Sequence, residues 1–390
     1  MKFVHAADLH IDSPLRGLER YEGAPVELIR GATRRAVEHL VDLCLEEDAK
    51  LLLLCGDLYD GDWKDYSTGL FFCRQMAKLR EADVTVVWIR GNHDAASRLT
   101  QHLRPPDNVH ELSHARPVTL EKEIDGVSVA LHGQGFPRVK ITEDLTERYP
   151  APVSGALNLG LLHTALDGRE GHDAYAPCRV ESLRNKGYDY WALGHVHQRE
   201  VVGQHPFIVF PGNLQGRHAR ETGKKGATLV HVRGASIADV EHRTLDEVRW
   251  SHVVFDASQA ASTDDVVDGV REQLANEVAD AEGRLVAARV SVVGASRAHS
   301  QLSLNAERFQ HEIRVSALNV GREAAWIEKV VLRTRAEGDP LLLRARNDPM
   351  GALLRALDSL RNDEAELTTL AEELGELRRK LPRELLDGTD

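Results

Sequence analysis

Short apolar runs alternate with helical patterns along the first half of the chain. "KFVHAA" (2–7), "LLLLC" (51–55) and "VTVVWI" (84–89) read as strands. So do "VSVALH" (127–132), "LNLGLL" (157–162), "YWAL" (190–193), "FIVF" (207–210) and "ATLVHV" (227–232). Between the first two runs, Ile29, Ala32, Ala36, Val37, Leu40, Val41 and Cys44 recur at helical spacing, and a second helical stretch surrounds 67–81. Strands that are apolar almost throughout, rather than at alternate positions, belong to a sheet covered on both faces. Residues 1–245 therefore predict one layered α/β domain.

Near residue 246 the pattern changes. "WSHVVFDA" (250–257), "RLVAARVSVV" (284–293) and "WIEKVVLRT" (326–334) predict strands, with helices over 263–281 and 300–318. Thr263 opens the first of these helices, and Asp264 and Asp265 follow where carboxylates meet the positive end of the helix dipole. This α+β stretch, 246–337, predicts a small cap domain. A tail over 338–390 follows, helical across 349–387. Leu367, Leu370, Leu374, Leu377 and Leu381 keep the 3-4 spacing of a helix that packs on another helix. That stripe either folds back on Met350, Leu353, Leu354, Leu357 and Leu360 as a hairpin or docks the helices of a partner.

Composition narrows the class. With 42% hydrophobic and 28% charged residues, the chain reads as a soluble globular protein with a full core. No apolar run approaches the roughly 20 residues of a membrane span, and "MKFVHAADLH" lacks the apolar stretch of a signal peptide. Cys44, Cys55, Cys73 and Cys178 form no CxxC pair, which predicts thiols in a reducing cytoplasm rather than a disulfide frame. The net charge of −12 argues against a generic basic nucleic-acid coat. It leaves room for a nuclease whose phosphate affinity is local and metal-assisted.

The chemistry stands directly after the strands. Asp8 and His10 follow the first, Asp57 the second, and Asn92, His93 and Asp94 the third. His163 follows "LNLGLL", and His195 and His197 follow "YWAL". Open α/β sheets bind ligands beyond the carboxyl ends of their strands, so these residues can converge. Asp8, Asp57, Asn92, His10, His163, His195 and His197 exceed the four to six or so ligands of one ion, which points to two ions sharing a carboxylate bridge. Without a thiolate, the set favours Mn²⁺, Fe²⁺ or Zn²⁺. Two such ions suit phosphoester hydrolysis, because they activate water and clamp the entering and leaving oxygens. The glycines at 56, 91 and 194 let the backbone turn sharply beside the ligands.

"DLH" (8–10), "GD" (56–57), "GNHD" (91–94), His163 and "GHVH" (194–197) resemble, in order, the motifs of the calcineurin-like metallophosphoesterases. Within that superfamily the chain is most similar to SbcD-type DNA double-strand-break repair exonucleases, in a bacterial side branch marked by "HTALDGREGHDAYAPC" (163–178) and "PGNLQGRHARETGKKG" (211–226). The resemblance implies an α/β/β/α core, a cap and a helical tail. It implies one metal held by Asp8, His10, Asp57 and His197, and another by Asp57, Asn92, His163 and His195, with Mn²⁺ favoured. His93 would be the acid facing the leaving group, and Asp94 would orient its ring.

The implied function is a DNA exonuclease or endonuclease acting at DNA ends. Hydrolysis of nucleotides or other small phosphoesters is the alternative, and a non-catalytic scaffold a third reading. The resemblance also implies an SbcC-type coiled-coil ATPase on the tail and allows a homodimer. Arg217, His218 and Lys224, in the most basic local segment, are candidates for contact with substrate phosphates. His5, inside the first strand, reads as a packed core residue; His172 lies in a glycine-rich loop.

Overall fold

The computed structural model describes residues 1–14, 23–60, 66–96, 104–168, 175–321, 324–338, 344–361 and 363–380. His172 and Leu381 lie outside them, as does the end of the expected tail helix, and the side chain of Leu377 is likewise outside the description. Strands β1 (Lys2–Ala6), β2 (Leu51–Cys55), β3 (Thr85–Ile89), β4 (Val109–Glu111), β5 (Val118–Ile124) and β6 (Val127–Gly133) come first. They are followed by β7 (Leu157–His163), β8 (Tyr190–Gly194), β9 (Glu200–Gln204), β10 (Phe207–Phe210), β11 (Gly226–Arg233) and β12 (Ser236–Thr244). These build two six-stranded sheets, ordered β12-β11-β1-β2-β3-β4 and β5-β6-β7-β8-β10-β9.

Residue alternation explains the layers. Val4, Ala6, Leu52 and Leu54 point one way from the first sheet, onto Ala36, Val37, Leu40 and Cys44 of α1 (Val26–Glu46) and Phe72, Met76 and Leu79 of α2 (Ser67–Glu81). Phe3, Leu51, Leu53, Val87 and Ile89 point the other way, onto Leu131, Leu159, Leu161, Tyr190 and Val209 of the second sheet. The outer face of that sheet buries Leu162, Trp191, Leu193 and Phe210 against Phe136, Leu145, Tyr149 and Leu183. This is the α/β/β/α layering, and it is why the inner strands are apolar on both faces. Each such buried leucine contributes about 1.5–3 kcal/mol.

The pattern of apolar runs did not predict β4, β5, β9 or β12, and these four are the edges of the two sheets. An edge strand has one partner and exposed alternate positions, so β12 reads "SIADVEHRT" with mixed burial rather than as an apolar run.

By contact density the chain divides into two units that cut across the segments marked by the sequence. The first holds Met1–Phe255, Val266–Ser291 and Glu307–Val331; the second holds Asp256–Asp265, Val292–Ala306 and Leu332–Asp390. Beyond β12, strands β13 (Val248–Asp256), β14 (Leu285–Ser296) and β15 (Ala325–Ala336) form a three-stranded sheet, with α3 (Thr263–Asp280) and α4 (Ala306–Val320) between them in sequence. Within the first unit Val248, Trp250, Leu285, Ala287 and Trp326 pack with Ile29, Ala32 and Ala219. In the second unit α5 (Pro349–Arg361) and α6 (Glu364–Lys380) pair, yet Met350, Leu353, Leu357, Leu367, Leu370 and Leu374 stay exposed. Among the described residues no helix is long and apolar enough to cross a membrane. The four cysteines carry free thiols.

Candidate metal centre

Strands β1, β2 and β3 run parallel in one sheet, and β7 and β8 run parallel in the other. The segments that leave their carboxyl ends carry the polar residues. The loops after β1 and β2 remain zipped: Asp8 N–H donates to Gly56 O, His10 N–H to Asp57 O and Ile11 N–H to Leu58 O, each at 3.0 Å. That pairing sets Asp8, His10 and Asp57 side by side. His195 N–H, from the other sheet, donates to both oxygens of Asp8 at 3.2 and 3.0 Å.

The backbone bends hard to do this. Asp8, His10, Asp57 and His195 take φ of +53°, +42°, +54° and +95°, the left-handed region that costs a side-chain-bearing residue energy. Two glycines make room. A Cβ at Gly91 would overlap Asp57 Oδ1, and one at Gly194 would overlap the carbonyl of Cys55.

Candidate ligand atoms of the described residues then gather in three groups. Asp8, His10 and His197 offer atoms within 4.8 Å of one another, and so do Asp8, Asp57 and His163, and His10, Asp60 and His93. His10 Nε2 and His197 Nε2 face each other at 3.3 Å, with Asp8 Oδ1 3.7 Å from the latter. His163 Nε2 lies 3.0 Å from Asn92 Oδ1 and 3.5 Å from Asp57 Oδ2. The rings of His163 and His195 meet edge to face at 5.2 Å. His195 therefore lies beside His163 and His197 beside His10, so the two rings of "GHVH" diverge.

Asp8 is common to the groups of His197 and of His163, while Asp57 belongs to the group of His163. Asp57 Oδ1 accepts from His93 N–H at 2.9 Å, which leaves Oδ2 turned toward His163 and, at 4.0 Å, His10.

Hydrogen bonds select the tautomers a metal needs. His163 Nδ1 donates to Cys55 O at 2.9 Å, because a carbonyl only accepts, so Nε2 is the atom left for coordination. His197 Nδ1 meets Glu221 Oε1 at 2.7 Å, a carboxylate–histidine pairing that likewise frees Nε2. Two imidazole nitrogens that face each other beside carboxylates fit a shared cation. Burial alone would discharge His163, but Asp57 and Asp8 outweigh it and raise its pKa to about 9. Burial pushes Asp8 above the usual carboxylate range despite nearby His197 and His163. The pocket calls for positive charge, and the donor set suits divalent ions.

Two residues of the site were missed by sequence reasoning. Asp60 receives His93 Nδ1 at 2.8 Å and Ser13 Oγ at 2.6 Å, and this hydrogen bond, above burial, raises the pKa of His93. Its signal was "DLYD", a second acid three residues after Asp57. Glu221 sat unnoticed among basic neighbours. Asp94 is a correction: it does not face the His93 ring. Its Oδ1 accepts from Leu58 and Tyr59 N–H at 3.0 and 3.2 Å, and its Oδ2 from Gly91 N–H at 3.0 Å. Asp94 thus ties the β2 and β3 loops together; burial and Asp57 lift its pKa to about 7.

The basic segment does not form one patch. Arg217 is mostly buried between Asp60 and Glu221, and Lys224 pairs with Glu282 at 2.8 Å. His218 is exposed, 3.7 Å from Glu221. His5 is fully buried between Tyr190 Oη and Leu193 O, at 3.0 and 3.1 Å.

Comparison with known proteins adds the following. Residues 250–335 match the family described as the middle domain of metallophosphoesterase YhaO. The chain is 36% identical over 262 residues to a protein named uncharacterized metallophosphoesterase YhaO from Bacillus subtilis, covering 67% of this chain and 64% of that one. It is 26% identical over 285 residues to the DNA double-strand break repair protein Mre11 of Methanopyrus kandleri, covering 64% and 58%. With the Mre11 of Sulfurisphaera tokodaii the figures are 25% over 239 residues, covering 55% and 57%. The chain thus spans less than two thirds of the length of these relatives. Residues 1–199, which carry every candidate ligand described above, match the calcineurin-like phosphoesterase model, and the chain belongs to that family.

Proposed function

We propose that the chain is a two-metal-dependent phosphodiesterase that cleaves DNA at its ends, of the SbcD type. The observation that carries the metal chemistry is the convergence of Asp8, His10, Asp57, Asn92, His163, His195 and His197 from the ends of five strands in two sheets. Asp8, His10, Asp57 and His197 would hold one ion; Asp57, Asn92, His163 and His195 the other, with Mn²⁺ favoured. Bound there, the pair would supply Lewis acidity and an activated water for in-line attack on phosphorus.

The remaining residues manage the proton and the phosphate. His93 is 39% exposed at the site, so its ring is accessible to a substrate. Asp60 holds Nδ1 and favours the charged ring, which leaves Nε2 to meet a phosphate oxygen or protonate the departing one. DNA as substrate rests on the relatives named as double-strand break repair proteins. The dispersed basic segment and the net charge of −12 favour the second reading, hydrolysis of small phosphodiesters.

We further propose that residues 246–337 act as a cap; the match of 250–335 to a middle domain supports that division. The exposed leucines of α5 and α6 support the tail as a docking surface for the helices of a coiled-coil ATPase.

A Mn²⁺-dependent assay on linear duplex DNA, single-stranded DNA and bis-p-nitrophenyl phosphate tests the assignment. Linear duplex should be shortened, and His93→Ala should slow it by about 10²–10⁴. Cleavage of the small ester alone would replace the nuclease reading with the second one.

A further inference from the structure

Arg217 stands out once the two supporting carboxylates are known. Its NH1 lies 3.4 Å from Asp60 Oδ2, and its NH2 lies 3.1 Å from Glu221 Oε1 and 3.3 Å from His197 Nδ1. Its own backbone N–H donates to Glu221 Oε2 at 2.8 Å. The side chain is only 15% exposed, and its partners Asp60 and Glu221 are 18% and 8% exposed. At the far ends of the chain of contacts, Asp60 holds His93 at 2.8 Å and Glu221 holds His197 at 2.7 Å. One guanidinium therefore joins the carboxylate behind the proposed acid to the carboxylate behind a proposed metal ligand.

We propose that Arg217 is a positioning residue that fixes His93 and His197 relative to each other through Asp60 and Glu221. This rests on the metal-centre reading and replaces the expectation that Arg217 grips substrate phosphate. The chemistry requires an arginine. Two carboxylates brought to one place repel unless a cation lies between them, and a planar fork can address both at fixed geometry. A lysine supplies the charge at a single point. Without the guanidinium, Asn213 Nδ2 and the backbone N–H of residue 217 still hold Glu221 Oε2, but Oε1 loses the charged partner that fixes it against His197 Nδ1. Asp60 keeps Ser13 but loses its cationic partner, and the direction in which it holds His93 is less fixed.

The test uses the full chain and Mn²⁺ alone as the first probe, by titration calorimetry, so it does not depend on the DNA assignment. Arg217→Met should weaken Mn²⁺ binding at one of two sites by about 10–100-fold, the usual effect of removing support behind a metal ligand. With bis-p-nitrophenyl phosphate it should lower kcat while KM stays within about twofold, since substrate is not touched. Added guanidinium ion should restore part of both losses. Arg220→Ala, exposed in the same loop, should leave Mn²⁺ binding as in the wild type.

Unchanged Mn²⁺ affinity in Arg217→Met would overturn the proposal. So would a raised KM and a DNA-binding salt slope reduced by about 1, which would mark a phosphate contact. If circular dichroism shows that Arg217→Met does not fold, Arg217→Lys decides: it keeps the charge and loses the fork, so wild-type Mn²⁺ affinity would overturn the bridging role and a several-fold loss would support it. A wild type that binds no Mn²⁺ would remove the metal-centre reading and this inference with it, whereas a wild type that binds two ions and a variant that matches it removes this inference alone.

Discussion

The two halves of the metal centre are supported in different ways. Around His10 and His197 the backing is ionic: Asp60, Arg217 and Glu221 form a chain of charged contacts drawn from distant parts of the sequence. Around His163 and His195 it is backbone and ring. His163 donates to the Cys55 carbonyl and rests edge-on against Phe136 at 5.4 Å, and His195 lies against Tyr175 at 5.6 Å. A carbonyl fixes a tautomer without adding charge, whereas a carboxylate also strengthens the ring as a ligand. The half backed by charged side chains should thus be the more sensitive to substitution of its supports, and the half backed by a carbonyl and rings should depend on the fold itself.

The largest effect should come from the residue proposed to bridge the two ions. Asp57→Asn removes a charge from both sides at once, so both Mn²⁺ sites should weaken in a calorimetric titration. Phosphodiester hydrolysis should fall on the order of 10³-fold, about 4 kcal/mol of barrier. Retention of one full-affinity site would show that the halves do not share a bridge.

A matched pair of substitutions separates the two kinds of support. Glu221→Gln should cost about 10–100-fold in the affinity of one site and leave the other in place. Phe136→Leu, which keeps an apolar contact on His163, should change Mn²⁺ affinity by less than about threefold. Equal losses in the two variants would erase the distinction.

A smaller effect comes from a neutral histidine of the interior. His5 is held down to about 3 by burial, against the hydrogen bond to Leu193 O. The unfolded chain takes up this proton near pH 6.5 and the folded one does not, so stability present above 6.5 is lost as the pH falls toward 3. Between pH 7 and 5 the loss is about 2 kcal/mol. His5→Gln should remove that part of the slope in urea unfolding at the two pH values; an unaltered slope would mean that His5 does not carry it.

The same contrast explains what the sequence could disclose. The inner strands were legible because burial on both faces writes itself as continuous apolar residues, and the residues that gather at the candidate site were legible because each stands next to such a run. The four edge strands were not, since their composition answers to solvent as much as to the core. Supporting residues are harder still. Asp60 could have been suspected from its spacing to Asp57, but Glu221 lies 24 residues from His197 and only the return of the chain through β11 and its preceding loop brings them together. Adjacency misled at Asp94, whose side chain turns back to three backbone N–H groups rather than to its neighbour.

The candidate ligands also come from two separate sheets, β1, β2 and β3 supplying one set and β7 and β8 the other. Ions held between them would act as a clasp across the inner sheet-to-sheet layer. Carried there, the ions would be a fastener as well as a reagent, and chelation would loosen the seam on which the inner leucines pack.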